Sequence, residues 1–360
     1  MTPSIAQLLR FTVEQGASDL HLSAGQPPLV RIHGDLRRIE GPTLSHDDVQ
    51  RALHEVMTIE QRRTFETKLE LDFAHTLEPA QRFRVNAFMQ NRGAGAVFRT
   101  IASRVPSFTD LALPEVVRLF AEAEKGLVLV TGPTGSGKST TLAAMIDHVN
   151  ETQQGHILTL EDPIEVVHTP KRCLINQREV GRQTHSFAAA LRSALREDPD
   201  VILVGELRDL ETTALAMTAA ETGHLVLATM HTSSAPKTID RVIDMYPAEQ
   251  HGQIRSMLSE SLIGVVSQLL VKKRGGGRAA ALEILVGTPA VRNLIREAKT
   301  HQLPSSMQVA GKSGMQTMEA ALVGLVTRGV VDLAEARSRL PSSEMLSMLQ
   351  KTAVPGGGAP

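Results

Sequence analysis

From about residue 114 onward, short apolar runs alternate with apolar residues at helical spacing, which indicates strands and helices that build a parallel sheet. The predicted buried strands are residues 127–130, 157–160, 201–204 and 225–229. Polar groups follow each run at its carboxyl end, the edge where open α/β sheets bind their ligands. The pattern therefore predicts an α/β fold whose ligand-binding site lies at the carboxyl ends of the strands.

The first 100 residues show a pattern that is typical of a smaller α/β domain. Residues 5–13 place their apolar side chains on one helical face, and polar and apolar residues alternate over 19–23 and 82–89, as in half-buried strands. Thr58 and Gln61 have the spacing of a capping box at a helix start. Pro106 and the polar stretch after it favour a linker before the larger region.

Beyond about residue 250 the pattern turns mainly helical, with a flexible glycine loop at residues 275–277. The predicted organisation is an N-terminal domain (1–100), a linker (101–113), an α/β core (114–274), a mainly helical C-terminal region (275–345) and a flexible tail (346–360).

Composition narrows the classes of function. The formal net charge is −1, aromatic residues make up 3% and tryptophan is absent, which disfavours a nucleic-acid-binding surface. The single cysteine, Cys173, excludes internal disulfides and a cysteine zinc site. Because no apolar run approaches 18 residues and no leader opens the chain, we expect a soluble cytoplasmic protein whose membrane contact is peripheral.

Residues 132–139, GPTGSGKS, fit the phosphate-binding P-loop pattern between a predicted strand and a predicted helix. Glycines let backbone N–H groups turn toward phosphates, and the helix N-terminus adds its positive end. Lys138 can reach the β- and γ-phosphates, and the Ser139 hydroxyl can ligate Mg²⁺. The pattern predicts ATP and Mg²⁺ as cofactors. The predicted nucleotide-binding residues are Gly132, Pro133, Thr134, Gly135, Ser136, Gly137, Lys138, Ser139 and Thr140.

Ionisable side chains follow three of the predicted strands. Glu161 and Glu206 can orient an attacking water or hold Mg²⁺ through water, although acids at strand ends also serve as helix caps. His231 can sense the γ-phosphate. His224 lies at the start of its strand, where it is either a catalytic residue or a cap for the preceding helix.

Three further segments resemble the motifs of the secretion and type IV pilus ATPases. Residues 195–209, LREDPDVILVGELRD, resemble the Walker B signature of that superfamily, with Gly205-Glu206 in place of the usual terminal Asp. Residues 157–167, ILTLEDPIEVV, are similar to its Asp box, and residues 223–240 to its His box. The resemblance implies a RecA-like P-loop ATPase core in which Glu206 positions the water.

Within that superfamily, the chain resembles the retraction ATPases of twitching motility. Residues 17–25, ASDLHLSAG, and 82–100 are similar to their PAS-like N-terminal domain, and residues 314–318 match their C-terminal region. One cysteine and a short N-terminal region disfavour pilus-assembly and type II secretion ATPases. An accessory retraction ATPase is the nearer alternative; a RecA-like nucleic-acid motor and a non-catalytic ATP-binding ring component are alternatives of other classes.

Residues 290–297, AVRNLIRE, resemble the helix that this family associates with retraction. Thr288 can cap the helix and Pro289 suits its first turn. Val291, Leu294, Ile295 and Ala298 are predicted to share its apolar face, with Arg292 and Arg296 opposite. Either this is an ordinary packed surface helix or it transmits force to a partner through Ala290, Val291, Arg292, Asn293, Leu294, Ile295, Arg296 and Glu297.

The resemblance also implies a quaternary structure and a location. Family members form homohexameric rings, and N-terminal arginines that reach the phosphates would correspond to Arg82 and Arg84, unless these pair with local acids. Arg208 is a weaker candidate for a contact between subunits or with an acid. The implied partner is an inner-membrane pilus platform protein of the PilC type, with an accessory retraction ATPase as a further partner and no nucleic acid. The ring would work at the cytoplasmic face of the inner membrane.

Overall fold

The structure is a computed structural model that describes residues 3–32, 34–78, 81–101, 105–344 and 348. Its internal contacts divide the chain into two compact units. The first unit comprises residues 1–104 together with residues 163–167, and the second comprises residues 105–162 and 168–360. The predicted tail, residues 346–360, lies outside the described residues except for Met348.

The first unit is a six-stranded antiparallel sheet with three helices, in the strand order β3-β2-β1-β6-β5-β4. Its elements are α1 (Ile5–Glu14), β1 (Asp19–Ser23), β2 (Leu29–Ile32), β3 (Asp35–Arg38), α2 (His46–Val56), α3 (Ile59–Lys68), β4 (Glu70–Glu78), β5 (Gln81–Gln90) and β6 (Gly93–Ile101). Capping boxes begin all three helices, at Ser4, Ser45 and Thr58. The last of these confirms the capping box predicted from the sequence.

The second unit is a seven-stranded sheet in the order β13-β12-β7-β11-β10-β8-β9, parallel except for the β12–β13 pair. Its strands are β7 (Gly126–Thr131), β8 (His156–Glu161), β9 (Leu174–Glu179), β10 (Val201–Val204), β11 (Leu225–Met230), β12 (Leu262–Lys272) and β13 (Arg278–Val286). Its helices are α4 (Glu115–Ala121), α5 (Lys138–Thr152), α6 (Phe187–Ala194), α7 (Leu210–Glu221), α8 (Ala235–Asp244), α9 (His251–Ser261), α10 (Pro289–Arg296), α11 (Leu303–Val309), α12 (Met318–Thr327) and α13 (Leu333–Arg339).

The central strand β7 is buried on both faces, since all six of its residues are shielded from solvent. Leu127 and Leu129 join the apolar cluster on one face of the sheet, whereas Val128 and Val130 join the cluster that includes α5 on the other. Successive side chains of a strand point to opposite faces, so a continuous apolar run suits a strand covered on both sides. The four predicted strands and the α/β fold are confirmed.

The prediction of a mainly helical region beyond residue 250 is wrong for β12 and β13, which extend the sheet as an antiparallel hairpin. The connecting glycines, 275–277, all have positive φ, which closes the turn without strain. Alanines at 279–281 favour a helix locally, but pairing with β12 and burial against neighbouring residues override that preference. The helices α10–α13 follow the hairpin.

The segments that leave and enter the second unit differ from the predicted boundaries. Residues 105–113, predicted as part of the linker, belong to the second unit, where Phe108 is buried in the cluster beside α5. Residues 163–167, predicted as part of the core, group with the first unit; we refer to them as the 163–167 segment.

None of the helices in the described ranges combines the length and apolarity needed to span a bilayer.

Gly287, directly after β13, is expected to be intolerant of a side chain. A Cβ there would collide with the carbonyl oxygen of Leu262 and lie 3.1 Å from that of Ile263, and neither backbone atom can move aside easily. We expect Gly287→Ala to lower the free energy of unfolding by about 1–3 kcal/mol, as overpacking does. Gly252→Ala, in open space on α9, is the matched control and should leave stability unchanged or slightly raised. Chemical denaturation measures both; equal stabilities of the G287A variant and the wild type would contradict the argument.

Candidate functional site

The loop between β7 and α5 has the backbone geometry that a phosphate cradle needs. Gly132, Gly135 and Gly137 have φ values of 139°, 77° and 90°, in the region that side chains disfavour. Gly137 is the N-cap of α5, so the loop leads directly into the positive end of a helix. The predicted order of strand, glycine loop and helix is confirmed.

Lys138 points its ammonium group back into this loop. Its side chain is buried, and Nζ donates hydrogen bonds to the carbonyl oxygens of Gly132 at 2.9 Å and Pro133 at 3.1 Å. Among the described residues, the buried Oγ of Ser136 has no hydrogen-bond partner, which is costly unless a ligand supplies one. These two side chains offer a cation and a hydroxyl at positions where phosphate oxygens can replace the present surroundings.

Gln268 of β12 supports the P-loop through two hydrogen bonds. The sequence interpretation misses this contact. Its Nε2 donates to the carbonyl oxygen of Ser136 at 2.7 Å, and its Oε1 accepts from the hydroxyl of Thr141 at 2.8 Å. A Cβ on Gly132 would collide with the Gln268 carbonyl oxygen, and one on Gly137 would lie 2.8 Å from Nε2. The glycines are therefore required by the packing of β12 as well as by φ.

Glu206 lies at the carboxyl end of β10 between the side chains of Arg208 and His231. Its Oε2 lies 2.8 Å from the Arg208 guanidinium, and its Oε1 lies 3.3 Å from Nε2 of His231. Burial would raise the pKa of Glu206, but Arg208 and His231 together hold it below its ordinary value. Strand β11, which His231 follows, separates β10 from β7, so His231 comes between Glu206 and the P-loop in the order of strands.

Glu161 ends β8, the strand on the other side of β10. The Thr159 hydroxyl donates to its Oε1 at 2.7 Å, and Nε2 of Gln177 donates to the same oxygen at 3.2 Å. The amide of Gly205 donates to the carbonyl oxygen of Leu160 at 2.8 Å, which aligns the ends of β8 and β10. The structure therefore brings both candidate carboxylates to one edge of the sheet.

The loop that carries His231 is anchored at its far end by a buried carboxylate. Glu283 of β13 accepts hydrogen bonds from the amide of Ala235 at 2.6 Å and from the amide of Met318 at 3.4 Å. It therefore lies at the N-termini of α8 and α12, and its burial raises its pKa. Glu283 also lies outside the motifs recognised in the sequence. Its one sequence signal is that it is a single acidic residue within an apolar run.

His224, Arg82 and Arg84 are not among the residues that the second unit brings to the carboxyl edge of its sheet. His224 precedes β11, at the edge opposite the P-loop, where its Nδ1 lies 3.0 Å from the carbonyl oxygen of Ala219 near the end of α7. This geometry is that of a helix cap. Arg82 and Arg84 belong to β5 of the first unit, where Nε of Arg84 lies 4.0 Å from Asp72.

The 290–297 region forms α10, with Thr288 as the predicted cap and Pro289 in the first turn. Val291 and Ile295 are buried, but Ala298 is exposed beyond the helix with a φ of 59°, so its predicted place on the apolar face is wrong. Arg292 donates to the Gly287 carbonyl oxygen at 2.8 Å, and Arg296 to the Ser259 hydroxyl at 3.3 Å. Both arginines thus fix α10 to its surroundings.

A cavity of about 240 Å³ adjoins the P-loop on the side of β12. Leu269 and Leu270 contribute apolar surface, whereas Lys272, Arg278 and Arg339 contribute cations. An apolar wall with basic groups beside a phosphate loop suits a phosphorylated ligand that carries a flat ring.

Comparison with known proteins places this site in a family. Residues 1–275 match the model of the type II/IV secretion system protein family. The chain belongs to this family. The type IV pilus retraction ATPase PilT of Pseudomonas aeruginosa is 60% identical over 335 residues, which cover 93% of this chain and 97% of that protein. The type IV pilus ATPase PilU of the same organism is 41% identical over 346 residues, 96% of this chain and 91% of that protein.

A solved member of the family shares the fold. The crystal structure of the pilus retraction motor PilT with bound ADP superposes with a TM-score of 0.89 and 46% identity, and the match covers 96% of this chain and 99% of that one. It follows that the P-loop of the present chain binds a nucleotide. The RecA-like core and the smaller N-terminal domain predicted for the fold are confirmed, and the predicted helical C-terminal region is confirmed from α10 onward, after β13.

Gln268→Ala should weaken nucleotide binding. The substitution removes the partner of the Ser136 carbonyl oxygen and of the Thr141 hydroxyl, so the loop loses its support from β12. We expect a roughly 5- to 10-fold higher Kd for fluorescent ADP, equivalent to about one net hydrogen bond. Gln253→Ala on the exposed side of α9 is the matched control. An unchanged Kd for the Q268A variant would show that the loop holds its geometry without Gln268.

Proposed function

We propose that this chain is an ATP-hydrolysing motor that retracts type IV pili. The observation that carries the proposal is the alignment of a buried P-loop lysine, Lys138, with Glu206 and His231 at one edge of a single sheet. A relative of nearly equal length, 60% identical, is named as a pilus retraction ATPase, which supports the biological role. PilU, at 41% identity, makes an accessory retraction ATPase the weaker candidate.

The P-loop binds the phosphates. Lys138 exchanges its bonds to the Gly132 and Pro133 carbonyl oxygens for bonds to the β- and γ-phosphates, and loop amides add further donors. The N-terminus of the 15-residue helix α5 adds the favourable end of its dipole. The nucleotide base occupies the cavity beside Leu269 and Leu270.

The donor set at this edge fits Mg²⁺. Ser139 offers an exposed hydroxyl in the first turn of α5, and Glu161 and Glu206 offer carboxylate oxygens, the hard ligands that Mg²⁺ prefers. The described residues hold no cluster of three or more acidic, histidine or cysteine side chains, so phosphate oxygens and water complete such a site. When bound, the ion neutralises charge on the phosphates.

Glu206 orients the attacking water. Because Arg208 and His231 keep its pKa low, the carboxylate is ionised at neutral pH and accepts a hydrogen bond from the water. Glu161, held by Thr159 and Gln177, assists from the neighbouring strand. His231, beside Glu206, responds to the presence of the γ-phosphate and passes that information into the loop that begins α8.

The motor acts as a homohexameric ring at the cytoplasmic face of the inner membrane. Arg82 and Arg84 of one subunit supply cations to the phosphates, and α10 contributes to force transmission toward a pilus platform protein of the PilC type. An accessory retraction ATPase is a further partner; nucleic acid is not. These assignments rest on the family resemblance, and the scarcity of aromatic side chains agrees with the exclusion of nucleic acid.

Arg208→Ala should change the pH dependence of ATP hydrolysis. Without the guanidinium, burial has more influence on Glu206, so its pKa rises and the carboxylate is protonated at higher pH. The acidic limb of the kcat–pH profile should therefore move upward in pH. Arg63→Ala, at an exposed position on α3, is a surface control. Superimposable acidic limbs for the R208A variant and the wild type would exclude control of Glu206 by Arg208.

Glu206→Gln should abolish retraction in cells. The variant keeps the shape of the side chain but loses the charge that orients the water, and loss of one such group costs roughly 100-fold or more in turnover. We expect loss of surface motility while surface pili stay abundant, measured by motility assays and by shearing pili from cells. Lys138→Ala should behave alike, whereas Glu211→Gln on the exposed face of α7 should be silent. Loss of both motility and pili would indicate an assembly motor, and normal motility would contradict the proposed role.

A further inference from the structure

Gln177 of β9 forms hydrogen bonds on both sides of the 163–167 segment, with Glu161 before it and His168 after it. The chain leaves the second unit shortly after Glu161 and returns at His168. Nε2 of Gln177 donates to Oε1 of Glu161 at 3.2 Å, and Oε1 of Gln177 accepts from the amide of His168 at 2.8 Å. Gln177 therefore links the residue at which the chain leaves the second unit to the residue at which it returns.

The two partners fix the orientation of the Gln177 amide. An ionised carboxylate only accepts hydrogen bonds and a backbone amide only donates, so the Gln177 nitrogen must face Glu161 and its oxygen must face the His168 amide. Strands β8 and β9 pair in parallel with Thr159 opposite Gln177, which brings the hydroxyl and the amide to the same carboxylate. Both donate to Oε1 of Glu161, and two donors on one oxygen restrict rotation of the carboxylate.

The chain that follows the 163–167 segment is attached to the P-loop helix. Asn150 of α5 is fully buried; its Nδ2 donates to the carbonyl oxygen of Thr169 at 2.9 Å, and its Oδ1 accepts from the amide of Lys171 at 2.9 Å. His168 itself is buried, and burial lowers its pKa to about 4, so the ring is neutral at physiological pH. The amide that Gln177 contacts thus belongs to a segment fixed to the C-terminal part of α5.

We propose that Gln177 is a positioning residue that sets the orientation of the Glu161 carboxylate according to the path of the 163–167 segment. The inference rests on the proposed ATPase function and adds to it a control point outside the P-loop, Walker B and His-box motifs. Because Gln177 bonds to the residues on both sides of the 163–167 segment, a change in the path of that segment alters the Glu161 carboxylate and with it the rate of the chemical step. Nucleotide binding, which the P-loop performs, does not depend on Gln177.

The first test separates turnover from binding. We expect Gln177→Ala to lower kcat for ATP about 10-fold, the usual loss when a partner that orients a reacting group is removed, with KM and the Kd for ADP within about two-fold of wild type. Gln177→Glu should lower kcat further, since it places a second carboxylate against Glu161. Asn176→Ala, the exposed neighbour on β9, is the control. Thermal unfolding of each variant identifies any general loss of structure.

A double-mutant cycle tests the dependence on the 163–167 segment. Ile164 is 8% exposed, so Ile164→Ala should loosen the segment and lower kcat when Gln177 is present, but should have little further effect in the Q177A background. Val167→Ala, at a position 55% exposed in the same segment, is the control.

Additive effects in the cycle, or a Gln177→Ala variant with wild-type kcat, would overturn the inference while the proposed function stands. Parallel changes in KM and melting temperature would also overturn it, because they indicate a structural role only. Absence of ATP turnover by the wild-type ring would instead contradict the proposed function, and the inference with it.

Discussion

The placement of β7 at the centre of a sheet covered on both faces determines the geometry of the second unit. The last residue of β7, Thr131, pairs with Met230 of β11 and with Ser267 of β12. These pairs define the register of β7 with both neighbouring strands. The next residue on each neighbour is therefore level with the start of the P-loop: His231 on one side and Gln268 on the other. One buried strand thus brings together a loop, a histidine and a supporting amide that are far apart in the sequence.

The charged side chains at this edge have hydrogen-bonding partners within the protein. A buried ammonium or carboxylate is costly unless it is paired, and the structure pairs Lys138 with loop carbonyl oxygens and Glu206 with Arg208 and His231. Binding of a phosphate is therefore an exchange of partners rather than the neutralisation of isolated charges. This arrangement satisfies the polar groups of the loop and keeps the Glu206 carboxylate ionised.

Features encoded by local sequence could be predicted, and features that depend on distant packing could not. The buried strands, the P-loop and the cap at Thr288 follow from short apolar runs, glycine spacing and one hydroxyl, all within a few residues. Gln268 and Gln177 have no local signal, because their roles arise only when β12 and β9 pair with other strands. The catalytic and partner-binding roles of Arg82, Arg84 and α10 stay predictions.

The alanine-rich strand β13 shows the opposite case, in which local sequence is misleading. Its residues favour a helix by propensity, but the hairpin with β12 supplies nine paired positions, and five of the nine residues of β13 are buried. Likewise, Arg292 and Arg296 suggest a solvated face on α10, whereas the structure uses both to bond neighbouring backbone and hydroxyl oxygens. Such long-range contacts decide the structure where local preference is weak.

The membership of the 163–167 segment in the first unit has a consequence for how the chain folds during synthesis. Residues 1–104 leave the ribosome well before the segment does, and β7, the P-loop and α5 emerge in between. The N-terminal unit therefore completes its packing only after the start of the second unit has been made. A fragment that ends at residue 104 lacks part of its own unit, so the two units are interleaved in the order of translation although each is compact in space.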